Sequence, residues 1–528
     1  MFIRPVAEDN LPLPETNKKF IFWVLLAYMV VEITGTLFHS MWRDELHFWS
    51  LAGASSSLED LLHRKAWDSH PDLWYIILYA IRMVSDNPLS MQLLHSAIAI
   101  TTVFLILKYA PFSKVQRGFL VFGYFFLFEY ALISRNYAIG MLLIILLLIL
   151  YPRRRHCLFL NSLILFFLAQ TNLFSTIICI AFLLTWLFEF IFSEPFRAAL
   201  LRKKAILIPG IILILAGLCW AFYAAMLPGA VSHSEVSDFS LSQLTLRELI
   251  RSVATLWKAW VPIPLMGLQF WGTNFINSNN IEAILALILM FSAGLMFLKR
   301  PVVFFYYMIG LIGILGFIFL IFYGYIRHHG YLFIILVMCL WLKSYYQENN
   351  SALRSGFLEK SYGWLKRNSD RLFVILLAGQ MLAGIYAFTV HFSVPFSAAK
   401  VTARYIRAEK LDRFLIAGDQ DLSLEPVIGY LNKEAFFFSR NDFSRYLVYD
   451  TARREPASRS VVLSMADSLL KSHGDTILLV MNYMIPEDPK RNLKRIQSFV
   501  KSIRQDEIYY LYLLSPAKND SISGLPRQ

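Results

Sequence analysis

Charge is scarce in this sequence of 528 residues. Asp, Glu, Lys and Arg together make up 16% of the chain, whereas a soluble domain has roughly 25%. Hydrophobic residues make up 57% and aromatic residues 16%, and the mean hydropathy is +0.51. This composition excludes an ordinary soluble protein. It indicates a helical membrane protein with many spans, each of which needs ~20 apolar residues.

Cysteine is also rare in this sequence. The four cysteines lie in or beside apolar segments, and no two of them form a CxxC pair. They are Cys157, Cys179, Cys219 and Cys339. A disulfide framework or a zinc site is therefore not expected. The C-terminal part of the sequence also contains no GxGxxG or P-loop motif, so nothing predicts that it binds a nucleotide.

The net charge is +13, which in a soluble protein would suggest a nucleic-acid partner. Here it is explained more simply by Lys and Arg concentrated in cytoplasmic loops, with part of the charge meeting anionic lipid phosphates. No nucleic-acid partner is predicted. Residues 1–19 are polar and precede an apolar run too long for a signal peptide, so we expect an uncleaved first span and a cytoplasmic N-terminus.

Hydropathy and the distribution of Lys and Arg predict a membrane domain over 20–391 with about eleven transmembrane helices. The predicted spans are 20–38, 89–107, 118–133, 137–151, 157–170, 173–192, 205–226, 281–298, 301–323, 330–342 and 371–391. Two long loops, 39–88 and 227–280, are expected on the outer face, and 343–370 is expected as a cytoplasmic loop. Every strong basic cluster then falls on the cytoplasmic side.

The segment 72–84 decides this orientation. It is apolar but short, and it carries Arg82, so we expect a helix that lies on the membrane surface rather than one that crosses it. If it crossed, the basic run 153–155 would move to the outer face.

Residues 392–528 differ in character from the spans and predict a small α/β domain outside the cytoplasm. The segments predicted as buried strands are 413–417, 476–481 and 508–514, and those predicted as helices are 425–431 and 461–471. The last residues, 517–528, are expected to be disordered.

Four polar groups fall on the predicted outer face. They are Arg43, Asp44, Glu45 and His47; Asp68, Ser69, His70, Pro71 and Asp72; Ser134, Arg135, Asn136 and Tyr137; and Tyr325, Arg327, His328 and His329. One such group alone is explained by side chains that reach lipid headgroups. Carboxylates together with cations suit a reaction in which a carboxylate takes a proton from an acceptor hydroxyl or amine. The cations would bind a lipid phosphate and stabilise its charge as it leaves.

These stretches resemble a known family. The sequence RDELHFW at 43–49 is similar to the Asp-Glu motif in the first outer loop of GT-C glycosyltransferases. The likeness is to the branch that holds the protein O-mannosyltransferases and the lipid A aminoarabinose transferase. The stretch 70–75 (HPDLWY) resembles that branch's HPPLYYLLL, and 134–138 (SRNYA) resembles its ARMYAL. The segment 398–410 followed by a strand resembles its outer domain. The resemblance covers 20–150 by motif and the remainder by architecture.

Such enzymes transfer a sugar, with inversion, from a polyprenyl-phosphate donor to an acceptor outside the cytoplasm. The resemblance implies a GT-C fold, with Asp44 as the catalytic base and Glu45 orienting the acceptor or sharing the proton. The residues expected to bind substrate are Arg43, His47, His70, Asp72, Arg135, Tyr137, Arg327 and His328. Among these, Arg135, Arg327 and His328 would bind the donor phosphate, and His70 would either bind donor or have a structural role.

Two residues depart from the family pattern. Asp72 replaces the second proline and is a candidate extra acid, and His47 stands where an aromatic or small residue is usual. With Asp44 and His70 they are competent to bind a divalent cation. The resemblance nevertheless favours a reaction without a metal, and no cofactor is expected.

The predicted protein is thus a membrane glycosyltransferase whose acceptor is a lipid, a glycan or a protein. A bacterial inner membrane is expected, with the C-terminus in the periplasm. Two alternatives stay open: a flippase or transporter of lipid-linked saccharides, and a polymerase or ligase that uses a pyrophosphate-linked donor. A transporter would place charges near the bilayer midplane and often shows inverted repeats. The predicted charges at one face favour the enzyme.

Overall fold

The computed structural model of the chain describes residues 3, 5–6, 11–226, 245–349, 356–450, 452–454, 458–488 and 491–516. The predicted disorder of 517–528 and the first part of the predicted outer loop, 227–244, lie outside the described residues. The chain forms two compact units. The first, here called the membrane unit, comprises Met1–Phe38, Ala66–Ile77 and Leu89–Phe392, and the second, the sheet unit, comprises His39–Lys65, Leu78–Pro88 and Ser393–Gln528.

Nineteen helices and six strands are found among the described residues. The helices are α1 (Lys18–Phe38), α2 (Arg43–Ala54), α3 (Leu58–Arg64), α4 (Leu73–Arg82), α5 (Leu89–Tyr109), α6 (Lys114–Val121), α7 (Tyr137–Leu150), α8 (Leu158–Ala169), α9 (Leu173–Phe192), α10 (Glu194–Leu201), α11 (Lys204–Ala225), α12 (Leu246–Trp260), α13 (Asn279–Phe297), α14 (Pro301–Leu320), α15 (Ile326–Leu342), α16 (Gly356–Ser393), α17 (Ala399–Ala408), α18 (Asp421–Leu431) and α19 (Arg459–His473). The strands are β1 (Leu415–Gly418), β2 (Ala435–Phe437), β3 (Asp442–Ser444), β4 (Ile477–Met481), β5 (Leu493–Phe499) and β6 (Tyr509–Leu514).

Eight of the described helices are long and apolar enough to cross a membrane, which confirms the predicted class of helical, multi-pass membrane protein. They are α1, α5, α9, α11, α13, α14, α15 and α16. Two further predicted spans, 137–151 and 157–170, form the shorter helices α7 and α8. The predicted surface segment 72–84 forms the helix α4, whose ten residues are too few to cross a bilayer.

The segment 118–133, predicted as one span, is not one helix. Helix α6 ends at Val121, and a π-helical turn covers Phe125–Glu129. Hydropathy cannot detect this break, because irregular backbone at membrane depth is tolerated where it is buried in protein. The ring of Phe125 and the hydroxyl of Tyr130 lie so close to Gly330 of α15 that a Cβ there would clash with both. A larger residue at position 330 would force this turn away.

Helix α15 forms the core of the membrane unit. Every one of its residues is buried, as expected for a helix enclosed on all sides. The hydroxyl of Tyr331 lies 2.7 Å from that of Ser175 on α9, and the indole N–H of Trp260 on α12 donates to the carbonyl of Leu332 at 3.1 Å. Helices on different sides are therefore fixed to α15 by hydrogen bonds as well as by packing.

Two predicted loops contain helix. The outer loop 227–280 includes α12, which is amphipathic and so fails a test for uniformly apolar spans. The predicted cytoplasmic loop 343–370 is largely helical from Gly356 onward, because α16 continues through Ser393. Its first turns are polar, and hydropathy therefore placed the start of this helix at 371.

The sheet unit is built on a mixed sheet of order β3-β2-β1-β4-β6-β5, in which β1 is parallel to both β2 and β4 and the other pairs are antiparallel. The predicted strands correspond to β1, β4 and β6 and the predicted helices to α18 and α19, so the small α/β domain is confirmed. Side chains alternate between the two faces of a strand. Leu478 and Val480 accordingly pack with α17 and α18, and Leu479 packs with α19.

The predicted domain boundary at 391/392 lies one residue from the boundary between the two units, at Phe392/Ser393. The predicted first outer loop, 39–88, is divided differently. Helix α2 belongs to the sheet unit, because it packs closely on α18. At the contact, a Cβ on Gly429 would lie 2.9 Å from the hydroxyl oxygen of Ser50 and 3.3 Å from Cβ of Leu46.

Candidate active site

Helix α2 carries the first polar group of the sequence. Trp42, in extended conformation, precedes the helix, and Asp44 and Glu45 occupy its first turn. Carboxylates are favourable there, because the first backbone N–H groups of a helix lack partners within it and carry partial positive charge. The two carboxylates are adjacent in the chain, and both stabilise the start of the helix.

Glu45 is the buried member of this pair. Its side chain is fully buried, accepts a hydrogen bond from the backbone N–H of Trp42 at 3.2 Å and lies 2.9 Å from Nε2 of His39. The Nζ atom of Lys400 donates to the carbonyl of His39 at 2.8 Å, and burial lowers the pKa of Lys400 to about 8. Glu45 thus holds the start of α2 to the preceding residues and to α17.

Asp44 is the partly exposed member. Its side chain is 21% exposed, and its Oδ1 lies 3.8 Å from Nε of Arg43. A carboxylate in this position is accessible to a substrate, whereas that of Glu45 is not. Of the two predicted catalytic residues, Asp44 alone has the exposure that proton transfer from an incoming acceptor requires.

Arg43 is engaged by the C-terminal part of the sheet unit. Its guanidinium hydrogen-bonds to Asp506, and its backbone N–H donates to Oε1 of Glu507 at 3.1 Å. Although burial opposes it, the guanidiniums of Arg43 and Arg504 lower the pKa of Asp506. Burial raises the pKa of Glu507 to about 8. Neither acidic residue was predicted, since both lie more than 450 positions away along the chain.

His47 faces a carboxylate. Its Nδ1 lies 2.8 Å from Oε1 of Glu425 on α18, which also accepts from the backbone N–H of Leu447 at 2.8 Å. The rings of Tyr446 and Tyr449 lie 6.5 Å and 5.9 Å from the imidazole. This arrangement fixes α2 on α18. It gives His47 a structural contact that the sequence did not predict.

The second polar group contributes a chain of hydrogen bonds in the membrane unit. A guanidinium nitrogen of Arg135 lies 3.1 Å from Nε2 of His70, and Nδ1 of His70 lies 2.5 Å from Asp68, which also accepts from the hydroxyl of Tyr75. A guanidinium only donates, so Nε2 of His70 accepts and Nδ1 carries the proton toward Asp68.

The backbone of Arg135 contacts His95, a buried residue of α5. Nε2 of His95 on α5 lies 3.0 Å from the carbonyl of Arg135, and its Nδ1 lies 2.8 Å from that of Ala131. The guanidinium itself is almost fully buried, with the residue 3% exposed. His95 is therefore a core residue, and it also fixes the backbone that carries Arg135.

Asp72 contacts a helix of the membrane unit. Its Oδ2 accepts a hydrogen bond from the indole N–H of Trp220 on α11 at 2.6 Å. The residue is buried, and its backbone carbonyl accepts a hydrogen bond from the N–H of Ile76, in the first turn of α4, at 3.0 Å. Asp72 thus anchors the start of α4, which is a different arrangement from that of an exposed acid.

The fourth polar group lies at the start of α15. Nδ1 of His328 accepts from the backbone N–H of Tyr325 at 2.8 Å, and its ring stacks on Phe174 at 5.0 Å. The ring of Tyr137 lies 5.8 Å from that of His328, and the guanidinium of Arg135 lies 6.0 Å from the Tyr137 ring. These contacts join His70, Arg135, Tyr137 and His328 into one connected cluster.

Arg327 points to other rings. Its guanidinium lies 4.9 Å from the ring of Tyr325 and 5.8 Å from that of Trp271. The Nε2–H of His329 donates to the carbonyl of Tyr323 at 2.9 Å, so the adjacent histidines of α15 contact different groups.

The predicted site residues thus fall into two sets. The sheet unit holds Arg43, Asp44, Glu45 and His47, and the membrane unit holds His70, Asp72, Arg135, Tyr137, Arg327 and His328. Within the described ranges, no group of three or more His, Cys, Asp or Glu side chains is placed to hold a metal ion. The two histidines considered as ligands, His47 and His70, each face a carboxylate instead.

No protein-family model matches the chain, and no curated protein matches it. Among solved structures, the chain is similar to the crystal structure of ArnT from Cupriavidus metallidurans bound to undecaprenyl phosphate. The sequence identity is 11%, the similarity covers 94% of this chain and 98% of that chain, and the TM-score is 0.49. At this identity and TM-score, the roles of side chains in the present chain rest on its own contacts.

Proposed function

We propose that the chain is a membrane glycosyltransferase that moves a monosaccharide from a polyprenyl-phosphate donor to a lipid, glycan or protein acceptor with inversion. The general base is Asp44. The proposal rests on the resemblance of the polar stretches 43–49, 70–75 and 134–138 to GT-C enzymes and on the side chains that surround them. A bacterial inner membrane, with the reaction at its periplasmic face, is part of the proposal.

The observation that carries it is the different placement of two adjacent carboxylates. Asp44 is partly exposed, while Glu45 is fully buried against His39 and the backbone of Trp42. A general base has to reach the proton that it removes. Asp44 is therefore assigned to the chemistry and Glu45 to holding the start of α2.

The donor phosphate is assigned to Arg135. A guanidinium binds phosphate through two parallel N–H groups, and it stays charged at any physiological pH. The imidazole of His70 fixes the orientation of the guanidinium through a contact of 3.1 Å. Tyr137 and His328, which contact Arg135 directly or through one ring, complete the donor cluster.

The reaction is a single displacement. As the oxygen or nitrogen of the acceptor forms a bond to C1 of the sugar, its proton passes to the carboxylate of Asp44. The bond between C1 and the phosphate oxygen breaks, and its electron pair remains on the phosphate. Charge that develops there is stabilised by Arg135. The products are the glycosylated acceptor, with inverted C1, and free polyprenyl phosphate.

The test uses the purified full-length protein with a panel of radiolabelled polyprenyl-phosphate monosaccharides and a host membrane extract as the source of acceptors. Release of free polyprenyl phosphate and binding of donor are both measured. Loss of a general base lowers turnover ~10²- to 10⁴-fold. We expect Asp44→Asn to lose turnover to this extent and to keep donor binding, and Glu45→Gln to keep turnover within tenfold while losing thermal stability.

The matched control is Glu59→Gln, which removes a carboxylate from the second residue of α3, the position that Asp44 has in α2. It is expected to leave turnover unchanged. A parallel set with EDTA measures any dependence on a divalent cation. If no donor of the panel is bound or consumed by the wild type, the transferase proposal fails, and transport or a pyrophosphate-linked donor becomes the better account.

A further inference from the structure

The sheet unit contains a cavity that the proposed reaction does not use. Its volume is about 340 Å³, and three arginines line it: Arg64, Arg440 and Arg445. The lining contains one carboxylate, that of Glu434, together with Ser444 and Tyr446. Asp60 and Asp450 pair with Arg64 and Arg440 respectively, and the three guanidiniums together still supply N–H donors of the kind that bind an oxyanion.

A hairpin holds two of the three arginines. Strands β2 and β3 pair antiparallel, and Arg440 lies in the turn between them, with its backbone N–H donating to the carbonyl of Phe437 at 3.1 Å. Asn441 follows in the left-handed conformation with φ of 56°, which Asn adopts more readily than other side-chain-bearing residues. Arg445 comes directly after β3. The backbone that carries both guanidiniums is therefore fixed by the sheet.

The third arginine comes from the helix that follows α2. Arg64 ends α3, where its Nε bonds to Asp60 at 2.8 Å and its Nη1 donates to the hydroxyl of Tyr446 at 3.3 Å. These bonds orient the guanidinium without using all of its five N–H groups. Residues from the N-terminal and C-terminal parts of the chain thus meet at this cavity within the sheet unit.

Arg440 has unused donors. One of its terminal nitrogens lies 3.0 Å from Asp450, but in the part of the chain that the structure describes its Nε and Nη1 are buried and have no hydrogen-bond partner. Buried donors of this kind are rare in folded proteins, because leaving one unpaired costs free energy. Because the Nε–H and Nη1–H groups point to opposite edges of the guanidinium, an oxyanion in the cavity would pair with one of these edges, through the forked geometry that guanidinium and phosphate or carboxylate share.

We propose that this cavity binds a phosphate or carboxylate group carried by an acidic saccharide or lipid headgroup. Its volume lies at the lower end of the range for ligand pockets, ~300–1,000 Å³, which suits a group of monosaccharide size. If the proposed function holds, the molecule that carries this group is the acceptor. That second step rests on the proposed function, whereas binding of the oxyanion does not.

The experiment measures equilibrium binding of radiolabelled glucose 6-phosphate, glucuronate, inorganic phosphate and uncharged glucose to the full-length protein. We expect the first two to bind and glucose not to bind. Arg440→Gln and Arg445→Gln should each weaken binding at least tenfold, and Arg440→Lys, which keeps the charge but not the fork, should weaken it less than Arg440→Gln. Arg491→Gln, which removes an exposed charge on the same unit, is the control and should change nothing.

Binding of neither charged sugar to the wild type, or equal binding by wild type, Arg440→Gln and Arg445→Gln, overturns the inference. Binding of inorganic phosphate alone also overturns it, because the cavity would then take a free ion. If a variant unfolds at the same temperature as the wild type, its loss of binding is a local effect and not a result of unfolding. Anion binding without donor turnover would reject the proposed function and keep this site, and turnover without anion binding would do the reverse.

Discussion

Asp44 and Glu45 are one position apart in the chain but ~100° apart around α2, because the helix turns once in ~3.6 residues. The rotation alone sends one carboxylate into the protein and leaves the other partly exposed. Burial then has different consequences for different groups nearby. Glu45 lies beside His39 and accepts a hydrogen bond from a backbone N–H. At Glu507, which is also fully buried, burial raises the pKa to about 8.

The raised pKa of Glu507 predicts how the stability of the sheet unit depends on pH. An unfolded glutamate titrates near its ordinary value of 4.5, so between that pH and about 8 the folded form binds a proton that the unfolded form has released. The stabilisation is therefore complete below pH ~4.5 and is lost as the pH rises through 8. Each whole-number difference between the folded and unfolded pKa corresponds to ~1.4 kcal/mol, so the loss is on the order of a few kcal/mol.

The measurement compares wild type and Glu507→Gln by hydrogen-exchange protection of the β6 amides between pH 5 and 8, corrected for intrinsic exchange. The wild type should lose protection over this window, and the variant, whose amide does not titrate, should lose less. Lys400 has its pKa lowered to about 8, so its contribution rises with pH only above this window. Parallel curves for the two proteins would show that Glu507 does not bind this proton.

At the scale of elements, the packing of α2 on α18 decides where Asp44 is held. The contact is close because Gly429 has no side chain, and Leu46 and Ser50 occupy the space that a Cβ would need. The pair of His47 and Glu425 closes the same contact at 2.8 Å. A change in this interface would move the proposed base without touching it.

We therefore expect Gly429→Val to destabilise the sheet unit by ~1–3 kcal/mol, the usual effect of overpacking, and to lower turnover without weakening donor binding. Gly118→Val on α6 is the comparison, since a Cβ there meets nothing within 4 Å. Thermal unfolding and donor binding of both variants are the readouts. Equal stability of the two variants would mean that the α2–α18 contact adapts to the added side chain.

Sequence reasoning found the elements whose pattern is local. Strands β1, β4 and β6 are apolar runs buried on both faces, and the long spans are apolar throughout, so hydropathy identifies them. The break at Phe125–Glu129 was missed, because it is defined by packing on Gly330 rather than by composition. Strands β2, β3 and β5 were missed because they are short or polar on one side.

The candidate site was predictable in part for the same reason. Asp44 and Arg135 stand in stretches with a recognisable order of residue types. The partners of other site residues could not be found in this way. Glu425, Asp506 and Trp220 contact His47, Arg43 and Asp72 respectively, and no spacing in the sequence relates the two members of each pair. The structural contacts of His47 and Asp72 could be seen only when the chain was folded.

At the scale of the whole molecule, orientation is predicted from the basic residues that are expected to meet the cytoplasm. One of them is already neutralised inside the membrane unit, since the guanidinium of Arg154 pairs with the buried carboxylate of Glu189 at 2.6 Å. The remaining positive charge at the predicted inner face still favours a cytoplasmic N-terminus and an external sheet unit.

Cysteine labelling tests this orientation. In a background without the four native cysteines, Lys494→Cys on β5 and Lys19→Cys at the start of α1 each add one thiol at an exposed position. A membrane-impermeant maleimide should label the thiol at 494 in intact spheroplasts and the thiol at 19 only after permeabilisation. The reverse pattern would invert the protein in the membrane and remove the periplasmic reaction from the proposal.

The sheet unit is assembled from three separate stretches of the chain, and this affects how the protein is made. Helix α2 leaves the ribosome about 340 residues before Ser393, where the C-terminal part of its unit begins. At ~5–20 residues per second, translation of that interval takes roughly 17–68 s. Throughout this time the apolar face of α2 is synthesised but has no α18 to pack on. Biogenesis therefore needs a holding partner, such as the lipid surface or a chaperone, until translation is almost complete.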